Sequence, residues 1–221
     1  MNRRLSGLDR LTLISNSDAH SPEKLAREAN LLEAELSYQG VFGAFKSRNN
    51  ALLKTLEFFP EEGKYHVDGH RKCKVRLSPE ETIRRKGICP VCGKPVTVGV
   101  LHRVEKLADK KEAQKPQGAA DFEHLIPLKE VIGETMDVGP SSVKVDRLYH
   151  RLLALFGNEL YILRELPLDH LEAEGLSLLA TALRNMRQGR VEIAPGFDGE
   201  YGKVALLTPK DRESTGQLSL L

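Results

Sequence analysis

At 221 residues, with 40% hydrophobic and 29% charged side chains, the chain can bury a core as one domain or as two small ones. Three cysteines, no apolar run of about 18 residues and a charged start, Met1-Asn2-Arg3-Arg4, exclude a disulfide framework and a membrane span, and read as a cytoplasmic protein with reduced thiols. The net charge of +2 hides a basic middle: residues 64–115 carry 14 basic and 6 acidic side chains, against 8 and 9 in residues 1–63 and 11 and 16 in residues 116–221, which suits a polyanionic partner and, on charge alone, equally a solvated charged surface.

Leu11-Thr-Leu-Ile14 is a short β-prone run that ends in Ser15-Asn16-Ser17-Asp18-Ala19-His20-Ser21-Pro22. Ser21 and Pro22 can start a helix, and Leu25, Ala29, Leu32 and Leu36 recur at helical spacing. Strand, polar loop and helix make one unit of an α/β fold, in which functional groups gather in the loop after the strand. Asp18 and His20 occupy that loop, and a carboxylate and an imidazole two residues apart suit a divalent metal. By itself D-x-H is a weak signal, because such residues also favour loops for turn and capping reasons.

Thr55 to Phe59 reads as a strand leading into His70-Arg-Lys-Cys73 and Cys89-Pro-Val-Cys92. All three cysteines lie here in the pattern H-x₂-C-x₁₅-C-x₂-C, and two short chelate loops supply four donors for a tetrahedral zinc site. His70 is preferred as the fourth ligand because it repeats the two-residue gap of Cys89 and Cys92, with His66 as the alternative. Four protein ligands close such a site, so its zinc is structural. Between the pairs, Ser78-Pro79-Glu80-Glu81 predicts a capped helix stopped at Gly87.

Val96 to Val100 is β-prone, Leu101 to Lys110 predicts a basic amphipathic helix, Lys111 to Asp121 a linker and Gly133 to Ser142 a second loop. Val145, Leu148, Tyr149, Leu152, Leu153 and Phe156 form a helical core stripe capped by Ser141 or Ser142, and Leu168 to Gln188 a further helix. Val191 to Ile193 and Val204 to Leu207 flank the turn Pro195–Gly202 as a hairpin, and the chain ends in a polar run tipped by Gln217-Leu218-Ser219-Leu220-Leu221.

Several of these stretches resemble one known family. Ser15-Asn-Ser-Asp-Ala-His-Ser-Pro22, Phe58-Phe-Pro-Glu-Glu-Gly-Lys-Tyr-His66, Asp68-Gly-His70, Cys89-Pro-Val-Cys-Gly-Lys94 and Val100-Leu-His-Arg-Val-Glu-Lys-Leu-Ala-Asp109 together resemble endonuclease Q, PHP-domain phosphoesterases that nick DNA 5′ to deaminated bases. The resemblance covers most of residues 5–205 and corresponds to roughly the C-terminal half of the family's architecture. It implies an α/β (α+β overall) fold: the C-terminal piece of a distorted PHP barrel over 1–63, a zinc-ribbon-like basic module over 64–115, a mainly helical domain with a terminal hairpin over 116–210, and a tail over 211–221.

The resemblance also implies roles. Asp18 and His20 match the family's last catalytic metal motif, for Zn²⁺, Mg²⁺ or Mn²⁺, and Asn16 lies by the same match near the pocket for the extruded base. The family's early H-x-H ligands have no counterpart here, which leads us to expect a chain that lacks part of the catalytic site and a partner segment that supplies it. Arg71, Lys72, Lys74, Arg76, Arg84 and Arg85 are expected to contact phosphates of double-stranded DNA, with the protein nucleoid-associated. Gln217, Leu218, Leu220 and Leu221 resemble the pentapeptide that docks bacterial repair proteins on the sliding clamp. A non-catalytic zinc-containing DNA-binding module is the rival expectation.

Overall fold

Local chemistry decides the short elements of this chain, and long-range pairing decides the sheets. A computed structural model describes residues 1–46 and 51–214. The chain divides into two compact units: residues 1–123 with 194–203, and residues 124–193 with the segment from Val204 onward.

In the first unit, β1 (Ala29–Leu32) pairs antiparallel with β2 (Leu52–Glu57), and β5 (Asp121–His124) completes the sheet in the order β1-β2-β5. α1 (Tyr38–Lys46) lies between β1 and β2 in the chain. This corrects two expectations. Leu11–Ile14 forms no strand, and Ala29–Leu32 is strand where helical spacing predicts helix. A single 3₁₀ turn at Pro22–Lys24 replaces the start of that helix; Ala26 has φ +56, and Leu36 is fully exposed. The apolar spacing was real, but pairing with Leu52–Glu57 satisfies the backbone of Ala29–Leu32 better than an isolated helix could.

β3 (Asp68–His70) and β4 (Val75–Leu77) form a small hairpin around a 3₁₀ turn at Arg71–Cys73, with Lys74 left-handed at φ +54. α2 (Pro79–Arg84) starts as expected: Ser78 Oγ accepts from the Glu81 N–H, and the Glu81 carboxylate accepts from the Ser78 N–H at 2.8 Å. Val96–Val100 is not a ladder strand; only Thr97 bridges, exchanging two backbone hydrogen bonds with Gly69. α3 (Val100–Leu107) follows.

The second unit is helical, with α4 (Leu128–Met136), α5 (Val143–Phe156), α6 (Glu159–Arg164), α7 (Leu168–Ala173), α8 (Ser177–Arg187) and α9 (Pro209–Ser214). Val145, Leu148 and Leu152 of α5 are buried with Val131 and Ile132 of α4 and Leu179 and Leu183 of α8. Ser142, not Ser141, caps α5 through the Val145 N–H. Gly133 does not open a loop but lies inside α4, where a side chain would meet the Val138 carbonyl at 2.8 Å as the chain folds back. The predicted helix over 168–188 is two, broken at Gly175, whose φ of +74 no helix accommodates. β6 (Glu192–Ala194) and β7 (Lys203–Ala205) pair as expected around the glycine-rich turn.

Candidate metal centre and nucleic-acid interface

The turn between β3 and β4 carries His70 and Cys73, and the chain returns after α2 to present Cys89 and Cys92. One ligand atom of each of His70, Cys73, Cys89 and Cys92 lies within 4.8 Å of all the others, and the Cys92 sulfur is 3.5 Å from His70 Nδ1. Three thiols and an imidazole at that separation match the donor set and size of a closed tetrahedral centre, so this group could hold a divalent metal. His66 is outside the group; it is buried, and its backbone oxygen accepts from Leu101.

The thiols differ in acidity. Burial pushes Cys73 up to about 11, with the neighbouring Cys92 and Cys89 sulfurs adding to it. Burial also opposes ionisation of Cys89, but the Val91 and Cys92 backbone N–H groups aimed at its sulfur outweigh that and bring it down to about 7. The Cys89 sulfur is therefore readier than that of Cys73 to meet a cation as thiolate.

Residues distant in sequence brace this centre. Asp198, from the glycine-rich turn, accepts the Arg71 backbone N–H at 2.6 Å and the Thr97 hydroxyl at 2.5 Å. Those bonds, first the Arg71 N–H and then the Thr97 hydroxyl, hold its carboxyl below the ordinary carboxylate range. Gly69 permits the close packing: a side chain there would meet the Val75 carbonyl and the Phe197 ring at 2.5 Å. On the same strand, Asp68 is fully buried and bonded to the Gly99 N–H and to His102 Nδ1, each at 2.7 Å, tying β3 to the start of α3. Asp198, Asp68 and His102 carry no local sequence signal, because each works through a partner more than thirty residues away.

The basic side chains sort by what they already touch. Arg71, Lys72, Lys74, Arg76, Arg84 and Arg85 are all exposed. Lys74 is paired with Glu200 at 2.5 Å, and the Arg76 guanidinium lies 4.6 Å from the centre of the Phe197 ring. Exposed Ile83, Val91 and Val98 lie in the same stretch of chain.

The loop after Ile14 holds the other candidate group. His20 Nε2 is 3.6 Å from an Asp18 carboxylate oxygen, both side chains are about nine-tenths exposed, and Asp18 sits at φ +45. Among the described residues, no third His, Cys, Asp or Glu joins them to make a metal-sized cluster. Asn16 is exposed, and its carboxamide accepts from Asn30 of β1. Glu28 is also close, and burial pushes its carboxyl up, against a hydrogen bond from Ser15 and with the Glu57 charge adding to the push. The clamp-like residues Gln217, Leu218, Leu220 and Leu221 lie outside the described residues.

A family described as the MJ0043 C-terminal domain matches residues 127–190, within the helical unit. The structure of the lesion-specific endonuclease PfuEndoQ from Pyrococcus furiosus superposes with a TM-score of 0.83 at 27% identity, covering 97% of this chain. The chain resembles endonuclease Q throughout. A second endonuclease Q structure, bound to a 27-mer duplex substrate with an abasic lesion at the active site, superposes at 0.80 with 26% identity over 96% of this chain. The uncharacterized protein MJ0043 of Methanocaldococcus jannaschii is 33% identical over 208 residues, 90% of this chain, and the uncharacterized protein YqxK of Bacillus subtilis 29% identical over 207 residues, 92% of this chain. The chain spans 56% and 54% of the two endonuclease Q chains, and 26% and 49% of MJ0043 and YqxK. No helix among the described residues is long and apolar enough to cross a membrane.

Proposed function

We propose that this chain is the DNA-engaging part of an endonuclease Q-type repair nuclease, which nicks the strand 5′ to a deaminated base. The observation that carries the reading is the likeness, over 96% of the chain, to an endonuclease Q bound to duplex DNA with a lesion at its active site. His70, Cys73, Cys89 and Cys92 hold a structural zinc that fixes the β3–β4 hairpin against the Cys89–Cys92 turn, and so fixes the basic residues that grip phosphates. Asp18 and His20 supply two ligands to a catalytic divalent metal, and the remaining ligands lie on the part of endonuclease Q that this chain does not span. Exposure of Leu11, Leu13, Ile14, Tyr38 and Phe42 supports such a complement, since large exposed apolar side chains in this number call for cover. The metal, when bound, lowers the pKa of a bound water and offsets charge on the phosphoryl oxygens. Asn16 faces the extruded base. The tail ending in Leu221 tethers the nuclease to a bacterial sliding clamp in the nucleoid.

One observation favours a narrower reading of the chain acting alone. Among the described residues Asp18 and His20 form a solvent-exposed pair with no third metal-ligating group, and two ligands hold a catalytic metal poorly. By itself the polypeptide then binds DNA without cutting it.

The test is an end-labelled duplex carrying one uracil or hypoxanthine, incubated with this chain and Mg²⁺ or Mn²⁺ beside an undamaged control. Binding without a nick is the expected result for the chain alone, with a nick 5′ to the lesion once the missing complement is added. Failure to bind the duplex refutes the proposal.

A further inference from the structure

The amide of Asn30 settles a question of polarity in the neighbouring loop. Asn30 Oδ1 accepts the Ser15 backbone N–H at 3.0 Å, and Asn30 Nδ2 donates to the Ser15 carbonyl at 2.7 Å. A backbone N–H can only donate and a carbonyl can only accept, so this pair fixes which end of the Asn30 carboxamide faces which way. The second hydrogen on Asn30 Nδ2 points to the Asn16 side chain, 3.2 Å away, and only an oxygen can receive it. Asn16 is therefore held with Oδ1 turned toward Asn30, and its Nδ2 amino group is the end left for a ligand.

We infer that Asn30 is a specificity-determining positioning residue: it sets the Asn16 carboxamide to present hydrogen-bond donors, so that the base site accepts a carbonyl and rejects an exocyclic amine. The inference rests on the proposed placement of Asn16 beside the extruded base. Its chemistry matches the lesion class. Cytosine and adenine present an amino donor on the edge where their deamination products, uracil and hypoxanthine, present a carbonyl acceptor. A fixed donor pairs with the product and meets the parent base donor to donor, leaving both unsatisfied in a desolvated site. Thymine and guanine also carry a carbonyl on that edge, so this device separates a deaminated base from its parent and leaves the rejection of thymine and guanine to the greater cost of extruding a normal pair. The signal in sequence is slight: Asn30 is a lone polar residue between Ala29 and Leu31 on β1.

The experiment measures the affinity of the full chain, by fluorescence anisotropy, for duplexes that differ only in one uracil or cytosine placed opposite an abasic site, so that extruding either base breaks no pair. Wild type is expected to prefer uracil by roughly tenfold, the worth of one good hydrogen bond against a donor clash. Asn30→Asp turns the donor into an acceptor, so Asn16 is expected to rotate and present its oxygen, and the preference to fall to unity or reverse. Asn30→Leu releases Asn16 to turn either way and is expected to bring the ratio near one. Because the ratio compares two DNAs on one protein, the added charge of the aspartate cancels. Should both variants keep the wild-type preference while showing its circular dichroism, the role of Asn30 is refuted and that of Asn16 stands. A wild-type ratio of one refutes the assignment of Asn16 itself, and the inference with it. A measurement on wild type covers the case of misfolded variants: the Asn16 side-chain NH₂ signals in a ¹⁵N–¹H spectrum should shift on titration with the uracil duplex and not with the cytosine duplex. Signals that stay put with both overturn the inference.

Discussion

Cys89 is almost wholly buried, and the Val91 and Cys92 N–H groups bias it toward the thiolate, so it has no role in packing that serine could take over. Cys89→Ser is expected to abolish metal retention and to cost on the order of 3–5 kcal/mol of stability, as loss of a structural metal does. Metal analysis of the purified variant and its denaturation midpoint check both. Asp198 makes a milder case. Its carboxyl is held down by the Arg71 N–H and the Thr97 hydroxyl, so its folded pKa lies below its unfolded one. The stability it contributes is then fully present above the unfolded value of about 4 and is lost as pH falls through the folded value. Asp198→Asn should destabilise the protein by about 1–2 kcal/mol at pH 7, and the gap to wild type should narrow as pH falls below the unfolded value, as measured by urea unfolding from neutral to acid pH. The grouping of His70, Cys73, Cys89 and Cys92 was legible because their two-residue gaps are a local pattern. Asp198 was not, because it reaches Arg71 across 127 positions of sequence.

At the scale of elements, Gly175 separates two accounts of residues 168–187. A continuous helix would place glycine in its interior, where alanine stabilises by up to about 1 kcal/mol. Here α7 ends and α8 begins around a left-handed glycine at φ +74, with open space where a side chain would go. Gly175→Ala should therefore destabilise by about 1 kcal/mol, all of it from backbone strain, and the sign of the change in thermal midpoint decides the matter. The apolar spacing of Leu171, Leu176, Leu179 and Leu183 could not reveal the break, because α7 and α8 bury Leu171, Leu179 and Leu183 as one helix would, with Leu176 half-buried between them. β1 shows the converse error. Four apolar residues at spacings of three and four fit a helix, yet pairing with β2 across a stretch of unrelated sequence took precedence. Capping transferred in part: the Ser78–Glu81 box and Ser142 each start a helix because the satisfied N–H groups lie within three residues, whereas Ser21 makes no side-chain cap bond and precedes only a 3₁₀ turn.

For the whole molecule, the basic middle of the chain is the property that bears most directly on DNA. Its excess of eight positive charges was plain in the sequence, but which of them remain available was not. Lys74 is taken up by Glu200, and Arg76 is stacked on Phe197, whereas Lys72, Arg84 and Arg85 extend from the turn and from α2 with their side chains exposed. A lysine or arginine that neutralises a phosphate releases a counterion, and each such contact adds roughly 0.9 to the dependence of log affinity on log salt. Replacing Lys72, Arg84 and Arg85 together by glutamine should then flatten that dependence by roughly 2–3 and weaken binding by on the order of 100-fold at low salt, equally for damaged and undamaged duplex. Lys74→Gln should change the slope by less than any one of the three, because Glu200 already neutralises the Lys74 charge and leaves it less able to displace a counterion. Anisotropy titrations from about 50 to 200 mM salt read both effects. An unchanged slope in the triple variant would move the proposed DNA-binding surface away from the β3–β4 hairpin and α2.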